Sequence, residues 1–147
     1  MASFTHSIPV NTSAEQLWAL VSDVNRVAGL FPYTTLDDFT TPEQNHWLYW
    51  RRLTIPNVAD LRWREDACIT NHGELAFHAV DGDLQTFTGR WAVTSDGTTP
   101  SLTLNLEYEI PQGLAPSLPG ALVGYVMGEI FKSICQRIKE AAEGGEV

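Results

Sequence analysis

The most constraining feature of the sequence is a strict two-residue alternation in SLTLNLEYEI, residues 101–110. Its apolar side chains all fall on one face of an extended strand, namely Leu102, Leu104, Leu106, Tyr108 and Ile110. Polar side chains occupy the positions between them, as in a strand that has one face buried and one in water. The alternation therefore predicts a sheet with one covered face.

The same period of two continues back to residue 34, and turn-forming stretches divide it into about six strands. These stretches are PEQN at 42–45, IPN at 55–57, NHG at 71–73, DGD at 81–83 and SDGTTP at 95–100. Because the connections are short, we expect an antiparallel meander.

Helical signals lie on either side of these strands. THSIPV predicts a brief first strand, and overlapping capping boxes, Thr12 with Glu15 and Ser13 with Gln16, predict a helix over 14–21. Asp23 can cap a second short helix that ends near LFP. A long helix over about 118–142 follows from apolar residues at steps of four, namely Leu118, Leu122, Val126, Ile130, Ile134 and Ile138.

Together these elements predict an α+β fold in which about seven antiparallel strands curve around the long C-terminal helix. Two short helices follow the first strand. We expect one domain over residues 1–147, with 143–147 as a frayed tail. PQGLAPSLPG is expected to break regular structure before the long helix.

Charge and composition exclude several functions. Eighteen Asp and Glu against nine Lys and Arg give a net charge of −9, which opposes binding to nucleic acid or to an anionic membrane. No apolar run is long enough for stable membrane insertion. MASFTHSIPV lacks the features of a signal peptide and the two cysteines form no framework, which predicts a cytoplasmic protein. Monomer and homodimer both remain open.

The sequence also lacks the signatures of cofactor and metal chemistry. There is no phosphate-binding loop, dinucleotide fingerprint or nucleophile elbow, and the four histidines show no metal-ligand spacing. We therefore expect no cofactor and no metal.

Four segments resemble the helix-grip superfamily (SRPBCC), which includes START lipid-binding domains, Bet v 1 allergens and bacterial polyketide aromatase/cyclases. They are SIPVNTSAEQLWALVSDVNRVAGLFPY, the strand containing WRED, VDGDLQTFTGRW, and LTLNLEYEIP ahead of the helix that ends SICQRIKEAA. In appearance the aromatase/cyclases are the nearest group. The resemblance implies an internal cavity for a hydrophobic small molecule, which a carrier protein could deliver.

Gly89 interrupts the apolar face of the strand that carries Phe87 and Trp91. A glycine within a strand marks a bend, a bulge or a close approach. The resemblance implies that the two aromatics are cavity walls and that Gly89 leaves space for the ligand. A bend with the aromatics filling the core is the alternative.

The resemblance also provides candidate catalytic residues. Matching LFPY to the family places Phe31 and Tyr33 near the cavity mouth, where a phenol could donate to a carbonyl or enolate oxygen. Aromatase/cyclases carry a cavity arginine on the strand matching ADLRWREDACI, which suggests Arg64 as a fixed cation. Surface packing of Tyr33 and a solvated Arg64 are the alternatives.

The alternation of this strand leaves its orientation open. Either Arg62 and Arg64 face inward, or Trp63 and Glu65 do. Glu65 interrupts an otherwise apolar face, where desolvation would favour the neutral acid and allow acid or base catalysis. The alternative is a structural pair with an arginine, Arg51 or Arg90.

The substrate-binding residues that the resemblance implies are Phe31, Trp63, His78, Phe87, Trp91, Leu104, Tyr108 and Ile134. His78 matches a histidine of some cyclases, although a lone histidine on a strand is often exposed or structural. Ile134 replaces a polar cavity residue of the relatives and Leu104 an aromatic one, which implies a more apolar cavity.

These features predict a polyketide cyclase or related natural-product cyclase that folds a hydrophobic chain and closes a ring by aldol-type or pericyclic chemistry. A non-catalytic carrier of a lipid or hydrophobic metabolite is the main alternative. An interaction module resembling helix-grip co-chaperone domains is the third.

Overall fold

The computed structural model describes residues 2–31, 33–56, 59–84, 86–95, 97–109 and 120–144. Within these ranges the chain forms seven strands and three helices. In chain order they are β1 (Ala2–Pro9), α1 (Ala14–Val21), α2 (Val24–Gly29), β2 (Thr34–Glu43), β3 (His46–Ile55), β4 (Ala59–Asn71), β5 (Glu74–Gly82), β6 (Phe87–Thr94), β7 (Ser101–Tyr108) and α3 (Gly120–Glu143).

The strands form one antiparallel sheet in the order β1-β7-β6-β5-β4-β3-β2. Strands β2 to β7 form a meander. The last strand, β7, also pairs with β1 along its whole length, from Ala2 opposite Tyr108 to Pro9 opposite Ser101. The α+β architecture, the strand count and the two short helices after β1 are confirmed. The predicted break at PQGLAPSLPG lies outside the described residues except for Gly120, which begins α3.

Strand β2, at one edge of the sheet, is irregular. Its pairing with β3 shifts register between Asp37 and Thr40 and again between Thr40 and Glu43. Asp38 in this strand has a positive φ of 52°. Register shifts of this kind interrupt the regular pairing along the edge of the sheet.

Two of the predicted caps are present, Ser13 at α1 and Asp23 at α2, whereas Thr12 bonds the Gln16 side chain and not Glu15. Ser13 Oγ accepts a hydrogen bond from the backbone N–H of Gln16, and the carboxylate of Asp23 accepts one from the N–H of Arg26. Both bonds satisfy amide groups that have no partner within the helix.

Helix α3 packs across the inner face of the sheet. Phe131 contacts Phe4 of β1 and Tyr108 of β7, with ring centroids 5.4 Å apart in both pairs. The helix includes Glu143, whose carboxylate accepts a 2.8 Å hydrogen bond from the N–H of Asn11. The helix thus extends one residue beyond the predicted end at 142, and residues 145–147 lie outside the described part of the chain.

Candidate functional site

A cavity of about 90 Å³ lies between α3, the short helices and the inner face of the sheet. Most of its lining is apolar, but five residues of β2, β3 and β4 bring a polar or charged side-chain group to it. The polar-bearing positions are Thr34, Tyr49, Arg51, Trp63 and Glu65. The cavity is smaller than the roughly 300 to 1,000 Å³ of ordinary ligand pockets, so a long chain would fit only if the walls moved apart.

Glu65 is the centre of a hydrogen-bonded cluster on the cavity wall. Its carboxylate accepts a bond from the Tyr49 hydroxyl, one of 3.1 Å from Trp63 Nε1 and one of 3.2 Å from Arg51 Nη2. The side chain of Glu65 is only 3% exposed and that of Arg51 is 19% exposed. We refer to Tyr49, Arg51, Trp63 and Glu65 as the polar cluster.

The cluster arises from the register of two adjacent strands. Tyr49 of β3 lies opposite Glu65 of β4, and Arg51 lies opposite Trp63. Since side chains alternate along a strand, all four point to the inner face, where cross-strand neighbours are close enough to bond. The structure thus places the Trp63 and Glu65 face of β4 inward.

Burial and charge fix the protonation of two members of the cluster. Burial, together with the neighbouring charge of Glu65, raises the pKa of the Tyr49 phenol well above its ordinary value. Burial disfavours the charged form of Arg51, but charge interactions and hydrogen bonds with Glu65 and Tyr49 together outweigh it and raise the pKa of the guanidinium above its ordinary value. Tyr49 is therefore a neutral donor and Arg51 a permanent cation.

Two buried polar atoms on the cavity wall lack hydrogen-bond partners among the described residues. They are the hydroxyl oxygen of Thr34 and Nε of Arg51. Both residues line the cavity. Because a buried polar group without a partner is costly, these two atoms are candidate contacts for a ligand.

Many of the residues selected from the sequence lie at the cavity. Its lining includes Phe31, Trp63, Glu65, Phe87, Trp91, Leu104 and Ile134. Of the two arginines considered as partners for Glu65, Arg51 forms the pair, whereas Arg90 pairs with Glu74 at 3.2 Å. The rings of Trp63 and Phe87 are in contact, with centroids 5.1 Å apart.

Four selected residues lie elsewhere. Arg64 and His78 are exposed on the outer face of the sheet, because the alternation of β4 and β5 directs the opposite positions inward. Tyr33 is 41% exposed and packs edge-on against Phe31, with ring centroids 5.7 Å apart. Tyr108 is buried against Phe131, outside the cavity lining. A cavity position for Arg64, His78 and Tyr108 was wrong, whereas Tyr33 lies beside the lining residue Phe31 and its predicted place near the cavity mouth is not contradicted.

Gly89 does not leave an open space for a ligand. A Cβ atom at this position would lie 2.5 Å from the Leu106 side chain and the Asn105 carbonyl oxygen, and 2.8 Å from the Phe77 ring. Phe77 and Leu106 flank Gly89 in register on the two adjacent strands. The glycine therefore allows neighbouring side chains to pack over the strand, and the expectation of ligand volume at this point was wrong.

Tyr49 and Thr34 were missed by the sequence reasoning, and Arg51 was considered only as a partner. The signal was present in HWLYWRRLTI, where Arg51 interrupts an inward face that carries Tyr49 and Leu53. Glu65 interrupts the face of β4 in the same way. Two interruptions of opposite charge on adjacent strands predict an ion pair, provided that the register is known. Thr34 gave no such signal.

The described residues contain no group of three or more His, Cys, Asp or Glu side chains arranged to hold a metal ion. Over the same residues, none of the helices has both the length and the hydropathy of a membrane span.

A seven-stranded antiparallel sheet with a long C-terminal helix across its inner face defines the helix-grip class. Residues 1–143 match the family described as polyketide cyclase/dehydrase and lipid transport, and the chain belongs to this family. Among curated proteins, none matches the sequence.

Solved structures share the fold at low sequence identity. A protein from Thermus thermophilus is 17% identical, with a TM-score of 0.85 over 99% of this chain and 100% of that chain. The Zhui aromatase/cyclase from Streptomyces sp. R1128 is 14% identical, with a TM-score of 0.76 over 97% and 93%. A START superfamily protein from Mycobacterium smegmatis is 15% identical, with a TM-score of 0.77 over 97% of each chain. This likeness shows the fold.

Proposed function

We propose that the protein is a natural-product cyclase, which binds a hydrophobic polyketide-like molecule in the cavity and closes a ring by an aldol-type reaction. The observation that carries the proposal is the polar cluster, in which a carboxylate, a cation and a neutral phenol lie together on the wall of an apolar cavity. Burying an ion pair costs desolvation free energy, whereas apolar side chains of similar size would fill the same space without that cost. Such groups in a cavity are typical of functional sites.

The chemistry assigns one role to each group. The Glu65 carboxylate removes a proton from a carbon beside one carbonyl of the ligand. That carbon then forms a bond to a second carbonyl carbon, whose C=O π-bond breaks to leave an alkoxide, and the alkoxide takes the proton back from Glu65. Arg51 stabilises the negative charge that develops on oxygen, and the Tyr49 hydroxyl, which donates to Glu65, holds the carboxylate in position. The apolar walls hold the two reacting carbons close together.

Ring closure of heptane-2,6-dione tests this proposal. The expected product is the cyclic hydroxyketone and, after loss of water, 3-methylcyclohex-2-enone. Replacing Glu65 by Gln keeps an oxygen acceptor for its neighbours but removes the base, so kcat should fall about 100-fold or more while KM changes little. Chromatography of the products over time measures both constants.

The matched control is Arg64→Gln, the adjacent residue on the outer face of the same strand. It should leave kcat and KM as in the wild-type protein. An unchanged kcat in Glu65→Gln would remove the carboxylate from the mechanism. A wild-type protein that binds the dione but yields no ring would overturn the cyclase proposal.

A non-catalytic carrier is the second candidate function. The predominance of apolar side chains in the cavity supports it, and the family description includes lipid transport. In a carrier, Trp91→Ala should weaken binding of a hydrophobic ligand, whereas Glu65→Gln should have little effect. Native mass spectrometry of the protein incubated with a cell extract distinguishes the two functions, because a carrier retains an unchanged compound.

A further inference from the structure

Thr34 and Arg51 present two unused polar groups to the same cavity. The Thr34 hydroxyl oxygen and Arg51 Nε are buried and have no partner within the described residues. Nε of arginine can only donate, and a hydroxyl can donate or accept. We infer that the two groups form a subsite for a neutral carbonyl oxygen of the ligand.

The register of β2 and β3 brings the two groups together. Thr34 lies opposite Leu53, and Arg51 lies opposite Leu36, two positions further along each strand. Thr34 and Arg51 are therefore diagonal neighbours on one face, a relationship that separates positions by about 7 to 8 Å, within reach of a long side chain. A carbonyl oxygen has two lone pairs, so it can accept from both groups at once.

Charge favours a neutral ligand over an anion. Arg51 Nη2 lies 3.2 Å from Glu65 Oε2, so the positive charge of the guanidinium already has a partner. A ligand carboxylate would bring a second negative charge close to Glu65 without another cation of the polar cluster to balance it, which is unfavourable in an apolar cavity. A ketone or aldehyde satisfies the same donors without adding charge.

The remainder of the cavity defines the rest of the ligand. Leu53 and Phe31 lie among the apolar lining residues, and the volume is about 90 Å³. The ligand therefore places one carbonyl group at the subsite and an apolar body beside it, and a body larger than this volume requires the walls to move apart. The inference rests on the proposed function because it uses the same cavity, but it concerns recognition of the ligand and makes no use of Glu65 as a base.

Two ligands of nearly equal shape provide the test. Acetophenone carries a C=O group where α-methylstyrene carries C=CH₂. Their dissociation constants are measured by titration calorimetry, and the ratio of the two constants is compared between variants, so that the difference in hydration between the ligands cancels. Thr34→Val removes the hydroxyl at nearly constant shape and should reduce the preference for acetophenone about fivefold, the factor for one typical hydrogen bond.

Arg51→Lys retains a cation for Glu65 but lacks Nε, and it should reduce the preference in the same direction. Thr35→Val is the matched control, because Thr35 is exposed on the opposite face of β2; it should leave the ratio unchanged. A fall in either test variant that is absent from the control supports the subsite. An unchanged ratio in both test variants, or no binding of acetophenone to the wild-type protein, overturns it.

Benzoate tests the preference for a neutral group. It should bind more weakly than acetophenone to the wild-type protein at neutral pH, and tighter binding would overturn the assignment. These binding measurements are independent of turnover. If acetophenone recognition depends on Thr34 while the dione is not cyclised, the subsite stands and the cyclase proposal fails. If the dione is cyclised while neither Thr34 nor Arg51 affects acetophenone recognition, the cyclase proposal stands and the subsite fails.

Discussion

The two walls of the cavity are built from the same sheet but differ in chemistry. On the β3–β4 side, Arg51 and Glu65 interrupt the inward faces and join in the polar cluster. On the β6–β7 side, Trp91, Leu104 and their neighbours present no charged group, and α3 adds Ile134. The comparison teaches that one residue on each of two neighbouring strands is enough to place an ion pair in an otherwise core-like wall.

Among the changes that test this difference between the walls, breaking the Arg51–Glu65 ion pair should have the largest effect on stability. Arg51→Met leaves the Glu65 carboxylate buried without its cation, and the free energy of unfolding should fall by about 3 to 5 kcal/mol. The double variant Arg51→Met/Glu65→Gln removes both charges, keeps an oxygen acceptor for Tyr49, and should regain part of this loss. Urea denaturation measures both.

Arg52→Met is the control for that experiment. Arg52 pairs with Asp60 on the outer face, where both side chains are half exposed, and its loss should change stability little. A single Arg51 variant as stable as the wild-type protein would show that the pair is not effectively buried. A double variant no more stable than the single one would contradict the charge argument.

Overfilling the apolar wall should have an intermediate effect. Gly89→Ala places a Cβ atom 2.5 Å from the Asn105 carbonyl oxygen, which is backbone and cannot rotate away. Overpacking of this kind costs about 1 to 3 kcal/mol. Thermal or urea unfolding measures the loss.

Gly97→Ala is the matched control for Gly89→Ala, because nothing lies within 4 Å of a Cβ atom at Gly97. Its unfolding should resemble that of the wild-type protein. Equal stability of the Gly89 variant and this control would mean that the groups around Gly89 can move apart to accommodate the added methyl group.

The smallest effect should come from the titration of Tyr49. Because the pKa of this phenol is raised in the folded protein, its contribution to stability is present below the ordinary tyrosine pKa of about 10 and is lost as pH rises above that value. Absorbance of tyrosinate in folded protein near pH 10 should be the same in Tyr49→Phe as in the wild type.

The unfolded proteins provide the control for this titration. In denaturant, Tyr49→Phe should lack one tyrosine of the wild-type absorbance change. A difference between the two folded proteins near pH 10 would show that Tyr49 ionises there and is not held as a donor to Glu65.

The fold could be predicted from the sequence because its signals are local. The alternation of β7, the turns between strands and the caps at Ser13 and Asp23 each depend on neighbouring residues. The site could be predicted only in part. Glu65 is visible as a charge on an apolar face, but its partners Tyr49 and Arg51 depend on the register between β3 and β4.

Candidate site residues carried over from the family resemblance were less reliable where the prediction depended on which face of a strand a side chain occupies. Arg64 and His78 belong to strands that were correctly located, yet both side chains face outward. A shift of one residue in a strand exchanges its two faces, so a correct strand with an uncertain register does not decide which side chain reaches the cavity. Gly89 shows the same limit, since its neighbours Phe77 and Leu106 come from other strands.

The irregular edge strand β2 also bears on association between molecules. Its two register shifts and the positive φ of Asp38 interrupt the regular row of backbone donors and acceptors along the edge. A further strand from another chain needs such a row to pair with, and bulges of this kind discourage aggregation through sheet edges. The same strand that carries Thr34 into the cavity thus makes this edge a poor template for fibril growth.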